Sequence, residues 1–280
     1  MKSRNYTITG HMVVKNEDRW IWYAIMSVID FLDKLLIYDT GSIDNTVDII
    51  KDILKVETYR SKIVFEQIEG VTPENFYKIR QKQIDNTNTN YFMVVDGDEI
   101  WYKSSLDELD SVLSSKHPQL VATRFINCCG DVFHYCDDSR ETYCINGIKG
   151  AITIRVYSKS IPGIKCGGVY GVEGYIDEKG DSVQNNIYPT AVMDGKYLHT
   201  SLLVRSSAQN GDFSIKYRRS KIYRNWDGQF DEDFKFPEVF YLSPLPKFVK
   251  SAFVKDINAI RIILRIVRGL KKKVKRIILS

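Results

Sequence analysis

Three carboxylates crowd one turn at Asp96-Gly97-Asp98-Glu99, directly after the apolar run Tyr91-Phe92-Met93-Val94-Val95. Two aspartates separated by a glycine can set oxygen atoms around a hard divalent cation such as Mg2+ or Mn2+, and the glycine lets the backbone pass close to a phosphate. Such a cation offsets the charge of a diphosphate leaving group. An isolated D-x-D also describes a solvated acidic turn. At the mouth of a core strand, however, carboxylates are costly unless paired, hydrogen-bonded or metal-bound, which favours the chemical reading. A second acid, Asp39, ends another apolar run, Leu35-Leu36-Ile37-Tyr38. Ligands of open parallel sheets bind beyond the carboxyl ends of the strands, so both acids would face one crevice.

The elements that must position these groups follow from hydrophobic spacing. Thr7 to Val14 reads as a strand, and Lys15-Asn16-Glu17-Asp18 leads into a helix with Ile21, Ala24, Ile25, Val28 and Leu32 on one face. After the strand ending at Asp39, Thr40-Gly41-Ser42-Ile43-Asp44 supplies a turn and helix cap before Val47, Ile50 and Leu54. Ile63-Val64-Phe65 reads as a third strand, and Thr72-Pro73 as the cap and first residue of a helix running to about Ile84. The unbroken apolar run before Asp96 fits a strand covered on both faces. Three β–α alternations then predict an α/β fold with a mostly parallel sheet flanked by helices. Beyond a helix around Leu106, Leu109 and Leu113, strands are expected at Val121–Ile126, Ile152–Tyr157 and Tyr197–Val204.

The 280 residues, 44% hydrophobic and 27% charged, suffice for one sizeable catalytic body plus a tail. The net charge of +5 is uneven. Residues 245–280 carry eleven Lys or Arg and one acid, Asp256, so the tail holds +10 and the remainder −5. Tail positions Phe248, Val249, Phe253, Val254, Ile257, Ile260, Ile263, Leu264, Val267 and Leu270 recur at helical spacing among basic residues, suiting an anionic membrane surface or packing on the body. Nucleic acid is not expected as a partner, because aromatics are not interleaved and the body is acidic. No run of about 18 apolar residues is present, so the expected location is cytoplasmic, or peripheral on the cytoplasmic face of the inner membrane. The odd set Cys128, Cys129, Cys136, Cys144 and Cys166, without a CxxC pair, argues for reduced thiols. Grouping them with His134 about zinc matches no common finger spacing.

Several motifs in order resemble glycosyltransferase family 2, particularly bacterial enzymes that add sugars to lipooligosaccharide cores and surface glycans. Val13-Val14-Lys15-Asn16-Glu17 resembles the family's opening strand with its K-N-E, Asp39-Thr40-Gly41-Ser42-Ile43-Asp44-Asn45-Thr46 its D-x-G-S-x-D-x-T, and Asp96-Gly97-Asp98-Glu99 its D-x-D-E. Asn75-Phe76-Tyr77-Lys78-Ile79-Arg80 is similar to a helix whose Arg faces the donor site. The likeness continues more faintly through Arg155-Val156-Tyr157 and through Gly168 to Glu173, where Val172 stands in place of a frequent His. It extends to Leu198-His199-Thr200-Ser201-Leu202-Leu203-Val204-Arg205.

The resemblance implies a GT-A (Rossmann-like) fold. Residues 1–243 would form the catalytic domain, divided into a nucleotide-binding half (1–100) and an acceptor half (101–243), and residues 244–280 a basic amphipathic helical tail. The implied reaction is an inverting transfer from a nucleotide-diphosphate sugar to a glycan or lipid-linked acceptor. Glu173 would be the general base, and Asp96, Asp98 and His199 the ligands of Mn2+ or Mg2+. Lys15, Asn16, Asp39, Arg80, Asp96 and Arg205 would contact the donor, with Asp39 accepting the imide N–H of uracil and so favouring UDP. Two alternatives stand beside this. A sugar nucleotidyltransferase usually opens with a Gly-rich phosphate loop, which Val14-Lys15-Asn16-Glu17 lacks. The other is a non-catalytic, membrane-associated scaffold of the same fold.

Overall fold

The structure, a computed structural model, describes residues 4–136, 143–185, 188–203 and 226–253. The first half alternates strand and helix: β1 (Ile8–Val14), α1 (Ile21–Val28), β2 (Lys34–Asp39), α2 (Thr46–Ile53), α3 (Glu57–Arg60), β3 (Ile63–Gln67), α4 (Phe76–Asp85) and β4 (Tyr91–Val94). These strands pair in parallel in the order β3-β2-β1-β4. The carboxyl ends of β1, β2 and β4 therefore lie on one side, as the sequence pattern requires.

The second half brings β5 (Glu99–Trp101), α5 (Lys103–Lys116), β6 (Leu120–Cys129), β7 (Asp131–Cys136), the pair β8 (Cys144–Ile145) and β9 (Ile148–Lys149), and β10 (Ile152–Ser158). The pair β11 (Lys165–Gly167) and β12 (Gly174–Ile176) follows, then β13 (Thr190–Leu202) and β14 (Trp226–Gln229). β10 lies antiparallel between β4 and β6, β13 runs parallel to β6, and β5, β7 and β14 add antiparallel pairs. Among the described residues ten strands form one sheet. The α/β, GT-A-type arrangement expected from the sequence is present, with its parallel character concentrated in the first half and a mixed sheet in the second.

Alternation of side chains explains why β4 is apolar throughout. Tyr91, Met93 and Val95 join the core beneath α1 and α5, while Phe92 and Val94 join a second core with Ile84, Ile152, Ile154 and Tyr157. β2 divides likewise, with Leu35 and Ile37 on one face and Leu36 and Tyr38 on the other. A strand with both faces covered has no position at which a polar residue is cheap.

Two expectations are corrected. The helix predicted from Pro73 begins at Phe76, because Asn75 Oδ1 accepts the Thr72 N–H at 2.8 Å and closes a turn first. The cysteines are not all free thiols: the β6–β7 hairpin brings Cys129 and Cys136 to a Cα separation of 6.1 Å, and they form a disulfide. Cys128, Cys144 and Cys166 remain free.

The first residues of the expected tail, 244–253, pack on the body. Val249 and Ala252 are buried in the main core. The Tyr23 hydroxyl donates to Lys250 O at 2.9 Å and accepts from Ala252 N at 3.0 Å. Phe236, Phe240 and Phe253 form a ring cluster continuous with Trp20 and Tyr23 of the α1 region. The basic remainder of the tail lies outside the described residues, as does Arg205. Among the described residues no helix is long and apolar enough to cross a membrane.

Candidate active site

The chain leaves β1 through Lys15, which is exposed, and Asn16, which is buried with φ 55°. Asparagine tolerates this left-handed conformation better than most residues. It also ties two loops together: Asn16 Oδ1 accepts the Ile43 N–H at 2.8 Å, and Asn16 N donates to Ser42 Oγ at 2.8 Å. Glu17 N donates to Thr46 Oγ1 at 2.7 Å. The K-N-E segment and the loop after β2 thus form one rigid lip at the carboxyl edge of the sheet.

Asp39 lies inside this lip. Its Oδ2 accepts the N–H groups of Gly41 and Ser42 at 3.2 and 3.1 Å, its Oδ1 accepts the Ser42 hydroxyl, and the residue is fully buried. These bonds brace the loop that follows β2. A carboxylate with both oxygens engaged and no exposure sets the shape of the loop.

The D-x-D turn passes directly beneath the lip. A Cβ added at Gly97 would lie 3.0 Å from Val14 Cγ1 and 3.2 Å from Glu17 Cγ, so the close approach of the turn to the end of β1 requires glycine. The two aspartates then diverge. Asp96 Oδ1 accepts from Arg80 Nη2 at 2.7 Å, and Asp96 Oδ2 lies 3.5 Å from Arg155 Nη1. Burial pushes the Asp96 carboxyl upward, but the two guanidinium groups outweigh it and hold the acid well below the usual carboxylate range. Asp98 is turned the other way, with its Oδ2 3.6 Å from His199 Nε2. Its backbone oxygen accepts both the N–H and the hydroxyl of Thr200.

His199 is delivered by strand register, because β13 pairs with β5 so that His199 lies opposite Glu99. Its Nδ1 is 3.0 Å from Asn127 Oδ1 on β6. With Nδ1 turned to that amide oxygen, Nε2 is the ring nitrogen that faces Asp98. A carboxylate oxygen and an imidazole nitrogen converging in this way are a fitting donor pair for a divalent cation of the Mn2+ or Mg2+ type. No group of three or more His, Cys, Asp and Glu donors is preassembled among the described residues. Of the three expected ligands, Asp98 and His199 converge in this structure, while Asp96 pairs with the two arginines.

Arg80 is seated by its helix. Gln83, one turn later on α4, is fully buried and donates from Nε2 to Met12 O at 3.0 Å and Leu36 O at 3.1 Å, clamping α4 across β1 and β2. Arg80 Nη1 is buried and makes no hydrogen bond. A buried donor without a partner is costly, and at the mouth of this crevice a phosphate oxygen would satisfy it.

Arg155, on β10, joins Asp96 to Glu99 and also donates to the Tyr197 hydroxyl from Nε at 3.1 Å and Nη2 at 3.0 Å. Burial pushes the Glu99 carboxyl well above its ordinary range, against the pull of Arg155. Arg155, Glu99, Tyr197, Asn127 and Gln83 received no role from sequence reasoning. A charged residue inside the apolar strand Ile152–Ser158 was the one available signal.

Glu173 sits on the loop between β11 and β12. Its Oε2 accepts the Gly171 N–H, and its charge acts on Arg80. The loop is held to the foot of α4 by the Tyr170 N–H donating to Pro73 O at 2.9 Å and by the Phe76–Tyr170 ring contact at 4.9 Å. The structure thus brings Asn16, Asp39, Arg80, Asp96, Asp98, Glu173 and His199 to one edge of the sheet, with Lys15 exposed beside them.

Comparison with known proteins identifies the family. The sequence profile described as "Glycosyl transferase family 2" matches residues 11–168, which include both motif loops and the D-x-D turn. The SPbeta prophage-derived glycosyltransferase SunS of Bacillus subtilis (strain 168) is 27% identical over 153 residues, covering 52% of this chain and 33% of SunS. The chain thus spans about a third of the length of the curated relatives it matches. Among solved structures, S. aureus TarS 1-349 in complex with UDP-GlcNAc superposes with a TM-score of 0.47 at 15% identity, covering 78% of this chain and 66% of that one. Glucosyl-3-phosphoglycerate synthase from Mycobacterium tuberculosis, in complex with Mn2+, UDP and phosphoglyceric acid, gives a TM-score of 0.34 at 22% identity, covering 43% of this chain and 44% of that one. With more than half of its length matched by the profile, motif order and site included, this chain belongs to glycosyl transferase family 2.

Proposed function

We propose that this chain transfers a sugar from a UDP-linked donor to a hydroxyl of a glycan or glycolipid acceptor, with inversion and with a divalent cation, in the assembly of a bacterial surface polysaccharide or lipooligosaccharide. The observation that carries this reading is the divergence of the two D-x-D aspartates, Asp98 towards His199 and Asp96 into the grip of Arg80 and Arg155. One acid thereby faces a cation and the other fixes the cationic groups that face phosphate.

Asp98 and His199 would hold Mn2+ or Mg2+, which neutralises charge on the diphosphate when bound. Arg80 directs its unpartnered Nη1 at a phosphate oxygen, and Asp96 keeps that guanidinium in place. Lys15 adds charge at the rim, and the lip built by Asn16 and Asp39 shapes the pocket for the base. Glu173 takes the proton from the acceptor hydroxyl. That oxygen then bonds to the anomeric carbon from the face opposite the donor phosphate, the carbon–oxygen bond to the diphosphate breaks, and the electron pair leaves with UDP. Uridine, inversion and Arg205 as a diphosphate contact come from the family resemblance, and association of the basic tail with an anionic membrane from its charge and apolar spacing.

Thermal-shift screening of UDP, GDP, CDP and their sugars with and without Mn2+ tests the donor assignment, because a ligand that prefers the folded chain raises its melting temperature. UDP with Mn2+ is expected to give the largest shift. A shift with another nucleotide and none with UDP would refute the assignment.

A further inference from the structure

Beside the donor site lies a cleft of about 670 Å³, within the range of small-ligand pockets. It opens where the sheet forks. The ladder between β10 and β6 reaches Arg124, and the ladder between β7 and β6 begins at Cys128, so Phe125, Ile126 and Asn127 form the floor between the diverging strands. β6 runs in the same direction as β4, both being antiparallel to β10. The cleft is therefore at the same end of the sheet as Asp96 and Asp98. It touches the donor site directly: Asn127 lines the cleft and holds His199, and the Phe125 ring stands edge-on to the His199 ring at 5.6 Å.

The lining specifies a chemistry. Phe125, Tyr135, Phe230 and Phe234 contribute aromatic surface, and Phe230 stacks on Tyr135 at 4.8 Å and on Phe234 at 3.5 Å, giving a continuous platform. Among the described residues of the lining, Arg124 and Lys196 are matched by Asp194 and Asp231. Asn127 and Gln229 add amides that both donate and accept. An acyl chain would strip water from these charged and amide groups, and a polyanion would meet two carboxylates. A neutral sugar fits both features, with ring C–H faces on the aromatic platform and hydroxyl pairs on the carboxylates and amides.

We propose that this cleft binds the acceptor and selects a neutral, hydroxyl-rich glycan end, placing its reactive hydroxyl past Asn127 towards the donor. The assignment rests on the transferase reading above and deepens it by naming the acceptor class.

The test applies the labelled protein to a printed array of neutral and acidic oligosaccharides and to a hexapeptide library, with thermal shift by UDP and Mn2+ measured in parallel on the parent protein. Gln229 and Asp231 are exposed, so Gln229→Trp, which narrows the cleft, and Asp231→Ala are compatible with folding, and their melting curves verify it. Binding to neutral glycans is expected, weakened at least about tenfold in both variants, as loss of shape complementarity in the first and of a hydrogen-bonding carboxylate in the second implies. Binding of peptides alone, of acidic glycans alone, or of nothing would overturn the proposal, as would neutral-glycan binding that both variants leave unchanged. A UDP response without glycan binding would sink the acceptor site and leave the donor reading standing. Glycan binding without a UDP response would do the reverse.

Discussion

His199 Nε2 and Asp98 Oδ2 face one another across 3.6 Å, with the opposite ring nitrogen of His199 hydrogen-bonded to Asn127. β6 and β13, which run side by side in the sheet, thereby aim one imidazole nitrogen at Asp98. Outer-shell groups that orient a ligating histidine matter nearly as much as the ligand itself.

Asn127→Leu removes the hydrogen-bond partner of Nδ1 without touching Asp98. The apparent Mn2+ affinity, measured by the paramagnetic signal of free Mn2+ during titration, is expected to fall about 10- to 100-fold. The melting temperature of the metal-free chain should change little by comparison. An unchanged Mn2+ affinity would remove Asn127 from the site.

Arg155 is the only cation in contact with Glu99 among the described ion pairs, and it also reaches Asp96. Breaking a buried pair from one side leaves the other group without compensation, so Arg155→Met should cost about 3–5 kcal/mol in urea unfolding. The double variant Arg155→Met/Glu99→Gln should recover part of that loss. Additive costs in the double variant would show that the two side chains do not act as a pair.

Gly97→Ala forces a methyl group against Val14 and Glu17. Overpacking of this kind typically costs about 1–3 kcal/mol. Because the turn carries Asp98, Mn2+ affinity should fall together with stability. Wild-type stability in this variant would mean that the turn sits further from β1.

The first half of the chain was legible because its determinants are local. The five-residue run ending at Val95 and the Gly-Ser turn after Asp39 name their own strands, and these strands bring Asp39 and Asp96 to one edge. The second half depends on long-range register. Nothing near Glu99 indicates that it will lie opposite His199, and β5 is three residues long, too short for a period to show. Arg155 reads as one charge in a strand until β10 is seen to run beside β4. The Cys129–Cys136 bridge was hidden for a similar reason, since the hairpin that joins the two thiols cannot be inferred from an odd count of cysteines.

His11 supplies a pH test remote from catalysis. It is fully buried, stacked on Phe92 at 4.6 Å, with Nε2 2.6 Å from Thr87 Oγ1 and Nδ1 without a partner. Burial, then the charges of Arg80 and Lys159, lower its pKa well below the usual value. The unfolded chain therefore binds a proton that the folded chain refuses, and the contribution of His11 to stability is lost as pH falls through about 6.5, by up to about 1.4 kcal/mol per pH unit. Urea unfolding of the parent and of His11→Phe between pH 7.5 and 5.5 should show the steeper decline in the parent. Parallel slopes would mean that His11 is protonated in the folded chain.

The central claim is that Asp98 and His199 hold the cation on which transfer depends. The direct measurement is Mn2+-stimulated release of UDP from a UDP-sugar by chelator-treated protein, compared among the parent, Asp98→Ala and His199→Ala. The parent should be reactivated by Mn2+, Asp98→Ala should show no stimulation at any concentration tested, and His199→Ala should require more Mn2+. Full Mn2+-dependent release by Asp98→Ala would contradict the account.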